Sequence, residues 1–159
     1  MTWRLKKMSS TTLSTSQITL PYQANGAGNV HGGEIMKLMD TAAGSLAMKY
    51  SKGNCVTARM DELDFRLPVF IGSLVTCTAT IDYVGTTSME IFVNVESENL
   101  ISGNGPKNVV SAYFTLVAMG KDGKPRKVPE YHPQTESELK RYEQAKARRE
   151  QREQRRRKS

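Results

Sequence analysis

Residues Gly28–Gly44 read GNVHGGEIMKLMDTAAG, and the period of this run decides the fold. Past the paired glycines, Ile35, Leu38, Met39, Ala42, Ala43 and Leu46 recur at the i, i+3, i+4, i+7 spacing of one helical face. The spacing predicts a helix from Gly33 to near Tyr50, where SKGN supplies a glycine suited to a C-terminal turn. Ala42, Ala43, Gly44 and Ala47 are small, so another element can approach this helix closely. Asp40 interrupts the pattern. It stands beside Met39, one helical step from the apolar stripe, where partial burial is expected and a carboxylate is expensive to bury without partners.

Outside this run the period changes to two. In residues 73–84, Val75, Cys77, Ala79, Ile81 and Tyr83 alternate with Thr76, Thr78, Thr80 and Asp82, the pattern of a half-buried strand. VGTTS makes a turn, and Met89, Ile91, Val93 and Val95 return with Glu90, Asn94 and Glu96 on the other side, where Phe92 is the exception. After a polar loop, VVSAYFTLVAM is apolar on both faces, as a doubly covered strand is. CVTARMDELDFRLPV supplies another strand, stopped by Pro68, and TLSTSQITL (12–20) a first one. Strand, helix and four strands joined mainly by hairpins predict an α+β domain over residues 11–128, an antiparallel sheet with its helix on one face. Residues 129–159 read as a linker and a second, basic helix from about Glu136 to Arg155. Charged nearly all round, it has little core face of its own and is expected to fray at its end.

Composition bounds the function. A chain of 159 residues suits one domain with a real core. The net charge of +7 resides wholly in residues 140–159, and the remainder is balanced, so a nucleic-acid domain is not indicated. With little apolar surface, the tail is expected to be dispensable for chemistry. Cys55 and Cys77 form neither a CxxC pair nor a His-linked cluster, the usage of reduced, packed thiols rather than of disulfides or a metal site. Residues 1–10 read as a loose lead-in without the apolar segment of a secretory signal, and no run is long enough to span a membrane. A cytoplasmic protein is expected.

Two positions carry candidate chemistry. Asn29 precedes VHGG, where a helix start presents unpaired N–H groups and the positive end of its dipole to a carbonyl oxygen gaining charge. The plainer alternative is that Asn29, Gly32 and Gly33 only cap the helix. Asp40 is the second, and its plainer alternative is a solvated carboxylate capped by a neighbour. His31 is of a residue type that often serves as a base, but no nucleophile motif stands beside it. No phosphate-cradling glycine loop, HExxH or paired metal ligands are present in the sequence.

The blocks AGNVHGGEIMKLMDTAAG, DELDFRLPVFIGS, TTSMEIFVNVESENLISG and FTLVAMGKDGKPRKVPEYHPQTE, in that order, resemble the hot-dog-fold acyl-CoA thioesterases of the YciA and brain acyl-CoA hydrolase type. The resemblance covers about residues 12–140. It implies a long helix wrapped by a curved antiparallel sheet and hydrolysis of fatty acyl-CoA to fatty acid and coenzyme A. Coenzyme A is then part of the substrate and of the product, with no cofactor or metal. It further implies a catalytic pair, Asn29 and Asp40, contributed by different subunits of a homodimer within a trimer of dimers. Asp40 would serve as general base or nucleophile, with the Gly32 and Gly33 amides positioning the thioester. Arg59, Ser88, Asn99 and Lys107 are the candidate coenzyme A contacts. An acyl-CoA-binding sensor and a dehydratase on the same fold are the rival readings. A sensor that regulates genes would want a DNA-reading element, and the tail lacks the aromatic interleaving of a nucleic-acid binder.

Overall fold

A computed structural model describes residues 11–158. The lead-in expected at residues 1–10 lies outside the described residues. Five strands form one antiparallel sheet: β1 (Thr12–Ile18), β2 (Cys55–Phe65), β3 (Leu74–Val84), β4 (Ser88–Glu98) and β5 (Lys107–Ala118), in the order β1-β3-β4-β5-β2. The helices are α1 (Gly32–Ser51) and α2 (Glu136–Lys158).

The helix α1 packs against all five strands. Ile35, Met39, Ala42, Ala43, Leu46 and Ala47 are buried on its inner side, whereas Leu38 is only half-buried at the stripe's edge. The period-two residues of the sheet meet them: Val75, Cys77, Ala79 and Ile81 from β3, Met89, Ile91, Val93 and Val95 from β4, and Val110, Ala112, Phe114 and Leu116 from β5 are all buried. Burying a side chain of this size is worth about 1.5–3 kcal/mol each, so this layer dominates the stability. Burial also pushes the Cys77 thiol up to about 11, leaving it inert.

The end of α1 departs from the expected turn. Lys52, not Gly53, adopts the left-handed conformation (φ 60°), and its N–H closes on the Met48 carbonyl. Glycine at 53 leaves room for the Arg126 guanidinium, which bonds the Ser51 carbonyl and hydroxyl; a Cβ there would push that group aside.

The second helix is not a loose tail. It lies on the outer face of the sheet, and its grip is ionic and aromatic rather than aliphatic, Ala145 being its one buried residue. Arg148 donates to Glu90 Oε1 at 2.6 Å and stacks 3.9 Å above the Tyr113 ring. Arg152 donates to Glu90 Oε2 at 2.7 Å and to Asp61 at 3.4 Å. Tyr142 packs on Tyr83 and Tyr131. Asp82 and Glu90, read from the sequence as the polar side of their strands, are therefore only 3% exposed. Burial raises the Asp82 carboxyl to about 6 against the pull of Arg141 and Arg148. Arg141 Nε sits 3.2 Å from Asp82 Oδ1 but without hydrogen-bond alignment, so neither atom is fully satisfied. Periodicity missed this docking because the helix contributes charge, not an apolar stripe.

Candidate active site

Asp40 projects from α1 toward the edge strand β2, and there Thr57 Oγ1 donates a 2.6 Å hydrogen bond to its Oδ1. In the single chain Asp40 is exposed, not partly buried as its place near the stripe suggested. The other carboxylate oxygen makes no hydrogen bond among the described residues and faces no competitor for a water or a substrate. Thr57 was not singled out in the sequence: a threonine in a strand carries no signal until the helix is laid over it.

The loop before α1 is held from several sides. Val30 N–H donates to the Val69 carbonyl at 2.8 Å and His31 N–H to the Gln23 carbonyl at 2.8 Å. Within the loop, Asn25 N–H donates to the Asn29 carbonyl at 2.7 Å, while Asn25 Oδ1 accepts from Ala27 N–H and Asn29 N–H. The asparagine oxygen is thus consumed by the loop. Its amide NH2 has no acceptor among the described residues, which leaves a fixed pair of donors. Asn29 itself is half-buried and is bound through its backbone.

The paired glycines divide. Gly33 N–H donates to His31 Nδ1 at 3.0 Å, so His31 is the helix cap and the Gly33 amide is occupied. Gly32 N–H has no such partner among the described residues. A Cβ on Gly32 would press on the Phe65 ring at 3.3 Å, so glycine lets the end of β2 close under the helix start. Within one chain the loop and Asp40 do not meet. Asp40 lies eight helical steps beyond Gly32, about 12 Å along the axis. Thr57 and Phe65 mark the same two places on β2.

The four candidate coenzyme A contacts fall into two groups. Asn99 and Lys107 line a groove of about 410 Å³ with Leu67, Pro68 and Phe70, but Asn99 Oδ1 is already taken by the N–H groups of Ile101 and Ser102. Arg59 and Ser88 line a second groove, of about 510 Å³, with arginines of α2. The two groups lie at opposite ends of the eleven-residue strand β4, roughly 35 Å apart. One coenzyme A does not touch all four in a single chain.

The chain matches the thioesterase superfamily over residues 27–102. It is 37% identical to the mouse cytosolic acyl coenzyme A thioester hydrolase, over 86% of this chain and 38% of that one. It is 35% identical to the acyl-CoA thioester hydrolase YciA of Salmonella typhimurium, over 70% of this chain and 86% of that one. Among solved structures, an apo-hexameric acyl-CoA thioesterase superposes with a TM-score of 0.85 at 34% identity, covering 91% of this chain and 92% of that one. A Staphylococcus aureus acyl-CoA hydrolase, in complex with butyryl coenzyme A and coenzyme A, gives 0.83 at 32%, covering 94% and 90%.

That S. aureus enzyme has also been solved with one Asn, one Asp and one Thr each replaced by Ala. Its Asn precedes its Asp by fifteen positions and its Thr follows by seventeen. Asn25, Asp40 and Thr57 keep those spacings here, and Asn29 does not. Asn25 escaped the sequence reading because it looks like an ordinary turn residue ahead of Gly26. Sequence, sheet topology and solved relatives agree that the chain belongs to the thioesterase superfamily, among the hot-dog-fold acyl-CoA thioester hydrolases of the YciA and brain acyl-CoA hydrolase type.

Proposed function

We propose that the protein hydrolyses fatty acyl-CoA to fatty acid and coenzyme A, with Asp40 as the central group. The observation that carries this is the Thr57–Asp40 hydrogen bond, which fixes one carboxylate oxygen and leaves the other available. As general base, Asp40 takes a proton from water while the oxygen attacks the thioester carbon; the tetrahedral oxyanion then expels the coenzyme A thiolate, which the acquired proton neutralises. Direct attack by Asp40 would instead give an acyl-carboxylate anhydride that water opens. The amide donors of Asn25 or Asn29, with Gly32 N–H, suit the carbonyl oxygen as charge builds on it. Of the two asparagines, Asn25 is favoured by its consumed oxygen and by the spacing. Gly33 is the weaker donor, because His31 holds its N–H.

The site is completed by a second copy. The edge strand β2 is long, and Val56 and Phe65 on it are 43% and 47% exposed. An unpaired edge of that kind is a template for another strand. Two-fold antiparallel pairing of β2 with β2 places Thr57 and Asp40 of one chain beside the helix-start loop of the other. A homodimer at least, assembled as a trimer of dimers, follows the hexameric relative. Its setting is cytoplasmic, as the mouse relative's name is cytosolic, and no described helix is long and apolar enough to cross a membrane. Coenzyme A enters as part of the acyl-CoA substrate and leaves as a product. The test is a panel of acyl-CoAs incubated with the purified protein and a thiol reagent. Thiol release is expected. Binding without release would leave a sensor, and loss of water from a 3-hydroxyacyl-CoA a dehydratase.

A further inference from the structure

We propose that the groove between α2 and the outer face of the sheet is a binding site for a phosphate ester of nucleotide size. Its volume of about 510 Å³ falls within the range of small-molecule sites. Arg59 of β2 and Arg149, Arg152 and Arg156 of α2 line it, over the hydroxyl-bearing residues Thr87 and Ser88. Glu153 is the one acid on its wall among the described residues. Positions 149, 152, 153 and 156 follow the helical repeat, so one face of α2 looks into the groove. Guanidinium forks over hydroxyl donors are the chemistry of phosphate recognition.

The guanidinium groups are held in place by acids. Arg152 is fixed by Glu90 and Asp61, and Arg59 Nε lies 2.7 Å from Asp61; Arg149 Nε bonds Glu153 on the groove wall at 3.1 Å while its Nη1 reaches Ser88 Oγ at 3.4 Å. Arg156 is exposed and has no ion-pair partner among the described residues. The groove at the other end of the sheet offers only Lys107 as a cation among its lining residues, and its remaining wall is largely apolar. Charge therefore selects the α2 groove for phosphate. It lies behind β2, with Thr57 and Asp40 on the strand's opposite side. The ligand has two possible sources: the 3′-phosphoadenosine end of coenzyme A, which rests on the proposed activity, or a free nucleotide.

The experiment titrates adenosine 3′,5′-bisphosphate into the full-length protein by calorimetry, beside Arg156→Glu and Arg156→Lys. Expected are salt-sensitive binding to the wild type, binding weakened about tenfold or more by Arg156→Glu, and a smaller loss with Arg156→Lys, which keeps the charge but not the fork. Because Arg156 is exposed, both variants should melt with the wild type. Absence of binding by the wild type, or equal binding by Arg156→Glu, overturns the proposal. Steady-state kinetics then separates the sources. A raised KM for acyl-CoA at constant kcat in Arg156→Glu identifies the substrate's own end, and an unchanged KM with lost bisphosphate binding identifies a separate nucleotide. Should the protein hydrolyse no acyl-CoA, the activity fails while the bisphosphate result still judges the groove.

Discussion

Thr57 and Asp40 belong to an edge strand and a helix seventeen residues apart in sequence, and they meet through a 2.6 Å hydrogen bond. Asp40 is exposed and carries no packing, so its substitution tests chemistry rather than folding. Asp40→Asn should lower kcat by about 10²–10⁴-fold with an unchanged melting temperature. Thr57→Ala, which removes a hydrogen bond to a charged group, should cost about tenfold or more. Steady-state thioesterase assays beside thermal melts check both. A fully active Asp40→Asn would remove the carboxylate from the mechanism.

The two asparagines are separable. Asn25 orders the loop through its oxygen and offers its NH2 outward, whereas Asn29 takes part through its backbone, which alanine retains. Asn25→Ala should therefore lose about 10²-fold or more in kcat, and Asn29→Ala clearly less. Equal losses, or the reverse order, would return the oxyanion role to Asn29.

Sharing of the site between chains is read by mixing. Asp40→Asn and an inactive asparagine variant, co-expressed, form hybrids in which one site carries both changes and the other neither. Activity should reappear at about a quarter of wild type, because half the dimers are hybrid with one intact site each. Hybrids shown by mass spectrometry to form yet remain inactive would place both groups within one chain.

Removal of residues 144–159, which the sequence marks only as dispensable for chemistry, should destabilise the protein. That segment contains Arg148 and Arg152, which neutralise Glu90 beneath them. Removing it takes away both ion pairs and the Arg148–Tyr113 stacking and uncovers Glu90 to water, losses worth about 1–3 kcal/mol together. A melting temperature lowered by several degrees is expected. An unchanged melting temperature would show that α2 contributes nothing to stability.

Asp82 makes stability pH-dependent in an unusual direction. Its folded carboxyl titrates at about 6, above its ordinary 3.8, so the folded state holds the proton more tightly than the unfolded one. Its stabilising contribution is fully present below pH ~4 and is lost as pH rises through about 6. Relative to Asp82→Asn, the wild type should lose roughly 2–3 kcal/mol of unfolding free energy between pH 4 and pH 7. Urea denaturation of both proteins at the two pH values measures this. A constant difference between them would refute it.

The apolar period of Ile35 to Leu46, and the alternation in β3 and β4, were sufficient to specify a helix laid in an antiparallel sheet, because each pattern buries only when its element has that geometry. Asp40 was legible as a candidate through the family resemblance and not through burial, since it is exposed in the single chain. Tertiary structure alone decided the rest. The pairing of Thr57 with Asp40 and the turn by which Asn25 spends its oxygen depend on chain segments brought together only by the fold. The burial of Asp82 and Glu90 under α2 was invisible for a different reason: a helix that docks through arginines on acids leaves no hydrophobic period to read.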